Sequence, residues 1–213
     1  MYRVLVLGAG KIGSLVACLL SESGAYEVSL GDISLNASQR LVEDLGLSQV
    51  TPLLLDVRHP DSMSAHLKAH RFDAVLSSLP YFCNPVVAGL AREHRLHYFD
   101  LTEDVEVTNQ VKVLGADSPQ AFVPQCGLAP GFISIVAHDL ITHFDQVDTV
   151  KMRVGALPVH PSNALKYSLT WSTDGLINEY GNLCYGGEEG EKGPRLPLEG
   201  YETIEVDGLL YEA

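Results

Sequence analysis

The sequence predicts an α/β protein, with a doubly wound parallel sheet over residues 1–125 and part of an α+β mixed-sheet domain over residues 126–213. Three observations predict it. Short Val- and Leu-rich runs alternate with longer stretches whose apolar residues recur at three-and-four spacing. The connections between them are only a few residues long, and strands joined through helices in this way form parallel sheets with right-handed crossovers. A glycine-rich turn joins the first strand to the first helix.

Taken in order, residues 3–7 (RVLVL) are too few for a helix and read as a strand. Ile12, Leu15, Val16, Leu19 and Leu20 then predict an amphipathic helix with these residues on its apolar face, stopped at Gly24. The alternation continues with a strand at 27–30, a helix at 35–45 closing at Gly46, a strand at 50–55, a helix at 61–70 and a strand at 73–78. A helix at 84–94 carries Pro85 near its start, where a missing N–H costs nothing. Strands at 97–100 and 121–124 follow, with a helix from Val105 between them. After Gly131 the texture changes: a helix at 132–144, a long strand at 147–156, a strand at 165–172, a glycine- and glutamate-rich loop at 186–193, and a hairpin at 203–211 around Asp207-Gly208. The last residues read as the middle of a strand, which predicts that the second domain is incomplete.

Composition narrows the function classes. Fourteen Lys and Arg against 27 Asp and Glu give a net charge of −13, which argues against nucleic acid or an anionic membrane surface as partner. Hydrophobic residues at 46% and charged residues at 19% exclude global disorder. No apolar run approaches the roughly 18 residues of a membrane span. The start, MYRVLVLGAG, lacks a signal-peptide layout, so a cytoplasmic protein is expected. Cys18, Cys83, Cys126 and Cys184 are widely spaced without a CxxC, and the eight histidines include no HExxH, so neither a disulfide scaffold nor a metal site is expected. No serine sits in a GxSxG elbow.

Gly8-x-Gly10-x-x-Gly13 follows a strand and opens a helix, the context in which this spacing cradles a dinucleotide in a Rossmann fold. The first glycine makes the tight turn, the second lets a pyrophosphate approach the backbone beside Lys11 and Ile12, and the third permits close packing of helix on strand. Asp32 closes the second strand, where a carboxylate accepts bonds from ribose hydroxyls and repels a 2′-phosphate. Ile33 and Ser34 offer no adjacent cation, so NAD is expected over NADP. Asp56 and Val57 follow the third strand, a position suited to adenine, and Ser77, Ser78, Leu79 and Pro80 follow the fourth, leading toward the nicotinamide. Asp100 and the carboxylates Glu103 and Asp104 follow the fifth strand, while Cys126 and Gly127 follow the sixth beside the nicotinamide end. Carboxylates in this place can hold a cationic amine or take its proton. A Rossmann domain that binds nothing, or another adenosine cofactor, is the alternative.

The glycine turn, Asp32, SSLP at 77–80, FDLTED at 99–104 and above all CGLAPG at 126–131 before an apolar helix resemble the saccharopine dehydrogenase-like superfamily. Within it the chain is most similar to the L-lysine 6-dehydrogenases, and the likeness continues through residues 154–158 and 167–180 (YSLTWSTDGLINEY). The resemblance implies a Rossmann domain, a catalytic α+β domain, and hydride transfer between a nicotinamide and a carbon bearing an amine. A lysine ε-amine has a pKa of about 10.4 and must shed a proton first. Under the resemblance Asp100 is the first candidate to meet that amine, with Glu103 behind it. Lys166 and Tyr167 would fix a substrate carboxylate, Trp171 would wall the pocket, and Ser172 would donate a bond. A small amine or amino acid as partner and a homodimer as assembly are implied too. The rivals are a reductive coupling enzyme of the saccharopine or carboxynorspermidine type and a non-catalytic dinucleotide-binding protein.

Overall fold

Successive residues of a strand point to opposite faces, and in the first strand both sets are apolar. β1 (Tyr2–Leu7) sends Val4 and Val6 into one buried cluster and Leu5 and Leu7 into another. A strand buried on both faces belongs inside a parallel sheet covered by helices on each side. The computed structural model shows that arrangement and describes residues 1–155, 158, 160, 168–169, 172–188, 190–197, 199, 202–206 and 208–212. It divides into two compact units, Met1–Ile135 and Val136–Ala213.

In the first unit, β1, β2 (Tyr26–Asp32), β3 (Val50–Leu54), β4 (Ala74–Ser77), β5 (His97–Asp100) and β6 (Phe122–Val123) form one parallel sheet in the order β3-β2-β1-β4-β5-β6. The order reverses between β1 and β4, where Val4 pairs with both Val28 and Ala74. This is the α/β class that the alternation of elements predicts. The helices are α1 (Lys11–Glu22), α2 (Leu35–Asp44), α3 (Pro60–Ala69), α4 (Asn84–His94) and α5 (Val105–Gly115). On one face Ala17 of α1 packs with Val28, Leu30 and Val50; on the other, Met63, Leu67, Val87, Ala91, Val107 and Val111 cover Val75 and Tyr98. Local chemistry sets the helix starts. Ser34 caps α2 by accepting from the Ala37 N–H at 3.3 Å, and Asp104 caps α5 by accepting from the Val107 N–H at 2.7 Å.

The buried face of α1 differs from the one its apolar residues predict. Gly13 and Ala17 are buried and Val16 and Leu20 are partly covered, whereas Ile12, Leu15 and Leu19 are 39%, 54% and 58% exposed. Small side chains allow a helix to lie closer to a sheet than leucines do, so the close-approach face is the small one.

In the second unit α6 (Phe132–Ile141), which begins in the first, ends before the predicted residue 144. Thr142, His143 and Phe144 each donate to the carbonyl three residues back, a tightened last turn. Residues 147–155 form no regular element where a long strand is predicted. Ser172, predicted to end a strand, instead caps α7 (Thr173–Gly181), its Oγ accepting from the Gly175 N–H at 3.1 Å. The predicted loop at 186–193 is an antiparallel hairpin of β7 (Cys184–Glu188) and β8 (Glu191–Arg195), with Gly190 at φ +82°. Its pairing rests on the ladder and the turn rather than on apolar alternation. The hairpin predicted at 203–211 is present as β9 (Thr203–Val206) and β10 (Leu209–Glu212), with Gly208 at φ +77°. Among the described residues no helix is long and apolar enough to cross a membrane, and no three metal-ligating side chains come together.

Candidate functional site

In an open α/β sheet, ligands bind beyond the carboxyl ends of the strands where the order reverses. Here that edge carries the loops after β1 through β6. After β1 the chain turns at Gly8, φ +100°, and enters α1 with Gly10 as N-cap and no side chain capping it. A β-carbon at Gly13 would overlap the Gly8 carbonyl oxygen and come within 2.6 Å of Ser78 Oγ, so this glycine is needed for helix-on-turn packing. A β-carbon at Gly10 would meet nothing within 4 Å, which leaves the uncapped start of α1 open to a ligand there. Backbone N–H groups and the positive end of the helix dipole favour an anion at such a place. The cradle fits the pyrophosphate that the spacing predicts, with Lys11 and Ile12 opening the helix beside it.

Asp32 ends β2 next to this turn. Its Oδ2 accepts from the Ala9 N–H and its Oδ1 from the Ser34 N–H, each at 2.9 Å, so the carboxylate is fixed between the glycine turn and the start of α2. It is half-buried and keeps room to accept ribose hydroxyls.

The loop after β3 departs from expectation. Val57 is buried in the core, so its side chain is not offered to a ligand. Asp56 is already engaged: Arg58 Nη2 donates to Oδ2 at 2.7 Å, Arg58 Nε to Oδ1 at 2.9 Å, and the Arg58 N–H to Oδ1 at 3.0 Å. These bonds hold the Asp56 carboxyl well below the usual range, at about 2.

After β4, Ser77 is buried and donates to Asn84 Oδ1 at 2.7 Å, so its hydroxyl is engaged inside the fold and only its backbone is left for the cofactor path. Ser78 Oγ donates to the Leu7 and Gly8 carbonyls at 2.8 and 3.2 Å. It braces the glycine turn from behind, and Leu79 lies partly buried against the core, with Pro80 exposed at the edge.

Asp100, predicted to meet the substrate, has no exposed surface. Its Oδ2 accepts from the Tyr98 hydroxyl at 2.8 Å, and its Oδ1 from the Thr102 N–H at 3.0 Å and the Gln125 N–H at 3.2 Å. Burial pushes its pKa up, while these donors pull it back. A sealed carboxylate cannot touch a substrate amine; this one ties the β5–α5 loop to the β6–α6 loop. Burial and the neighbouring Asp100 also push the Tyr98 hydroxyl far above its ordinary pKa. The carboxylate that stays available in this loop is Glu103, whose Oε1 is buried with no hydrogen-bond partner among the described residues. An unpaired buried carboxylate oxygen is costly and calls for a donor.

The loop after β6 is closed by its own backbone bonds. The Gly127 N–H donates to the Pro130 carbonyl at 3.1 Å and the Phe132 N–H to the Gly127 carbonyl at 2.8 Å. Gly131, φ +135°, has no space for a β-carbon against Gly127. Cys126 is exposed, and its N–H donates to the Asp100 carbonyl at 2.8 Å. Lys166, Tyr167 and Trp171 lie outside the described residues. Ser172 is spent on capping α7.

Residues 4–122 match the family model of the saccharopine dehydrogenase NADP-binding domain, and residues 127–206 that of the saccharopine dehydrogenase C-terminal domain. The mitochondrial alpha-aminoadipic semialdehyde synthase of Mus musculus is 28% identical over 181 residues, covering 82% of this chain and 19% of the relative. That of Rattus norvegicus is 25% identical over the same shares. Apo saccharopine dehydrogenase (L-Glu forming) from Saccharomyces cerevisiae shares the fold with a TM-score of 0.73 at 19% identity, over 100% of this chain and 49% of that one. Scyllo-inositol dehydrogenase from Lactobacillus casei, with bound NAD(H) and scyllo-inositol, follows it over 67% of this chain and 41% of its own, with a TM-score of 0.51 at 16% identity. The chain thus spans 19% of the length of the curated relatives it matches and 49% of the saccharopine dehydrogenase structure.

Proposed function

This chain belongs to the saccharopine dehydrogenase family, and from that premise we propose that it is an NAD-dependent oxidoreductase acting on the CH–NH2 group of an amine or amino acid, in the manner of a lysine 6-dehydrogenase. The observation that carries the reading is the pairing, at one sheet edge, of an open glycine cradle beside Asp32 with the buried Glu103 oxygen on the loop after β5, which has no partner among the described residues. When bound, the nicotinamide supplies the hydride acceptor.

The chain's own residues do the rest. The uncapped start of α1 receives the pyrophosphate, and Asp32 takes the ribose hydroxyls. Preference for NAD rests on the Asp32 charge and on Ile33 and Ser34, which bring no cation beside it; Arg58, on the neighbouring loop, is already paired with Asp56. Glu103 accepts a hydrogen bond from the substrate ammonium and draws off its proton, so that the nitrogen lone pair is free when hydride leaves the adjacent carbon. Asp100 is a positioning residue that holds the Glu103 loop against the loop bearing Cys126 and Gly127. Hydrolysis of the resulting imine gives an aldehyde and ammonia. A homodimeric, cytoplasmic enzyme with a small-molecule partner completes the proposal.

The test supplies the protein with NAD and a panel of lysine, other basic amino acids and diamines, following NADH and ammonia together. Both are expected, in equal amounts, with at least one amine. A second reading draws support from the semialdehyde synthase relatives and the saccharopine dehydrogenase fold: C–N coupling, in which turnover needs an amine, a carbonyl compound and NAD(P)H. NADH binding with no turnover in either direction would contradict both and leave a non-catalytic dinucleotide-binding protein.

A further inference from the structure

The Asp56–Arg58 pair after β3 takes no part in the chemistry assigned to the loops after β5 and β6. Its geometry is nonetheless specific. Arg58 closes a two-pronged fork on the carboxylate through Nε and Nη2, and its own N–H adds a third bond. Both Asp56 oxygens are thereby occupied, leaving little capacity for the amino group of an adenine. What the fork does instead is lock the guanidinium plane, while the Arg58 side chain is still 72% exposed.

Its position matters as much. β3 lies at one margin of the sheet, separated from β4 by β2 and β1. The Leu55 N–H, just past the end of β3, donates to the Asp32 carbonyl at 2.9 Å, so the loop that carries Arg58 leaves the sheet beside the end of β2 where Asp32 stands. A fixed, exposed guanidinium plane offers a face for stacking a flat ring, and arginine does this where lysine cannot.

We propose that Arg58, clamped flat by Asp56, is the platform on which the adenine ring of the dinucleotide stacks. This rests on reading the glycine turn as a dinucleotide site.

Fluorescence titrations of the whole chain test it, with NADH, NADPH and reduced nicotinamide mononucleotide, which lacks the adenosine half. Arg58→Ala is expected to weaken NADH about tenfold and to leave the mononucleotide unchanged. Arg58→Lys, keeping the charge but not the plane, should recover little of the loss. NADH binding equal to wild type in Arg58→Ala would overturn the proposal. So would a loss confined to NADPH, which would make Arg58 a 2′-phosphate contact, or an equal loss for the mononucleotide, which would mark general damage. If the folded wild-type chain bound none of the three, the dinucleotide reading itself would fall, a result distinct from each of the others.

Discussion

The two units of this chain are held together by different means. In Met1–Ile135 the strands of a six-stranded sheet pack on both faces, and all the buried hydrophobic side chains among the described residues lie here, the last in sequence being Val111. In Val136–Ala213 the described elements are helices and two separate two-stranded hairpins, and Gly175 is the one buried residue among those described. The first unit is specified by burial and the second by hydrogen-bond ladders and turns. A backbone that packs closely tolerates no added atom, whereas a ladder with open space on its faces does.

Substitutions at matched glycines and at the Asp100 hub can break or sharpen that contrast. Gly13→Ala carries the largest expected effect, since its β-carbon would overlap the Gly8 carbonyl. A loss above roughly 3 kcal/mol in denaturant unfolding is expected, with dinucleotide binding abolished.

Asp100 comes next. Asp100→Ala leaves the Thr102 and Gln125 N–H groups buried without an acceptor, for a loss of about 2–4 kcal/mol. Asp100→Asn keeps a carbonyl oxygen for both donors and should stay within about 1 kcal/mol of wild type near neutral pH. The pH dependence has a definite sign. Asp100 holds its proton more tightly folded than at its ordinary value of 3.8. Wild type therefore loses stability as pH rises from that value through the raised one, as the unfolded chain ionises first. The asparagine variant lacks this loss, so its stability relative to wild type should climb across that range in urea melts taken at several pH values. A flat difference would show that Asp100 does not titrate as its burial requires.

Gly187→Ala in β7 should be the mildest. Its β-carbon meets nothing within 4 Å, and a change within about 0.5 kcal/mol is expected. A large loss there would show that the second unit packs more tightly than its ladders imply.

The same contrast decides what could be read from sequence. The alternation of apolar runs fixed the sheet because each run is buried on both sides, and the Gly8–Gly13 spacing with Asp32 placed the cradle. Reading failed where small residues outrank large ones: apolar content put Ile12, Leu15 and Leu19 against the sheet, but Gly13 and Ala17 lie there. It also failed where a side chain's partner is distant. Asp100 looked available because it ends a strand, and its sealing depends on Gln125, 25 residues on. One clue was local, since Tyr98 lies two residues earlier and thus on the same strand face. The spacing of Asp56 and Arg58 likewise allowed the fork that occupies both Asp56 oxygens. In the second unit, CYGGE and EKGPR carry no apolar alternation, so only the turn at Gly190 marked that hairpin.

The most direct test of the account is a pair of fluorescence titrations with NADH and NADPH, on wild type and Asp32→Ala. Wild type is expected to bind NADH more tightly than NADPH, and Asp32→Ala to weaken NADH about tenfold or more while narrowing the gap between the two. Equal NADH affinity in the two proteins, or tighter NADPH binding by wild type, would contradict it.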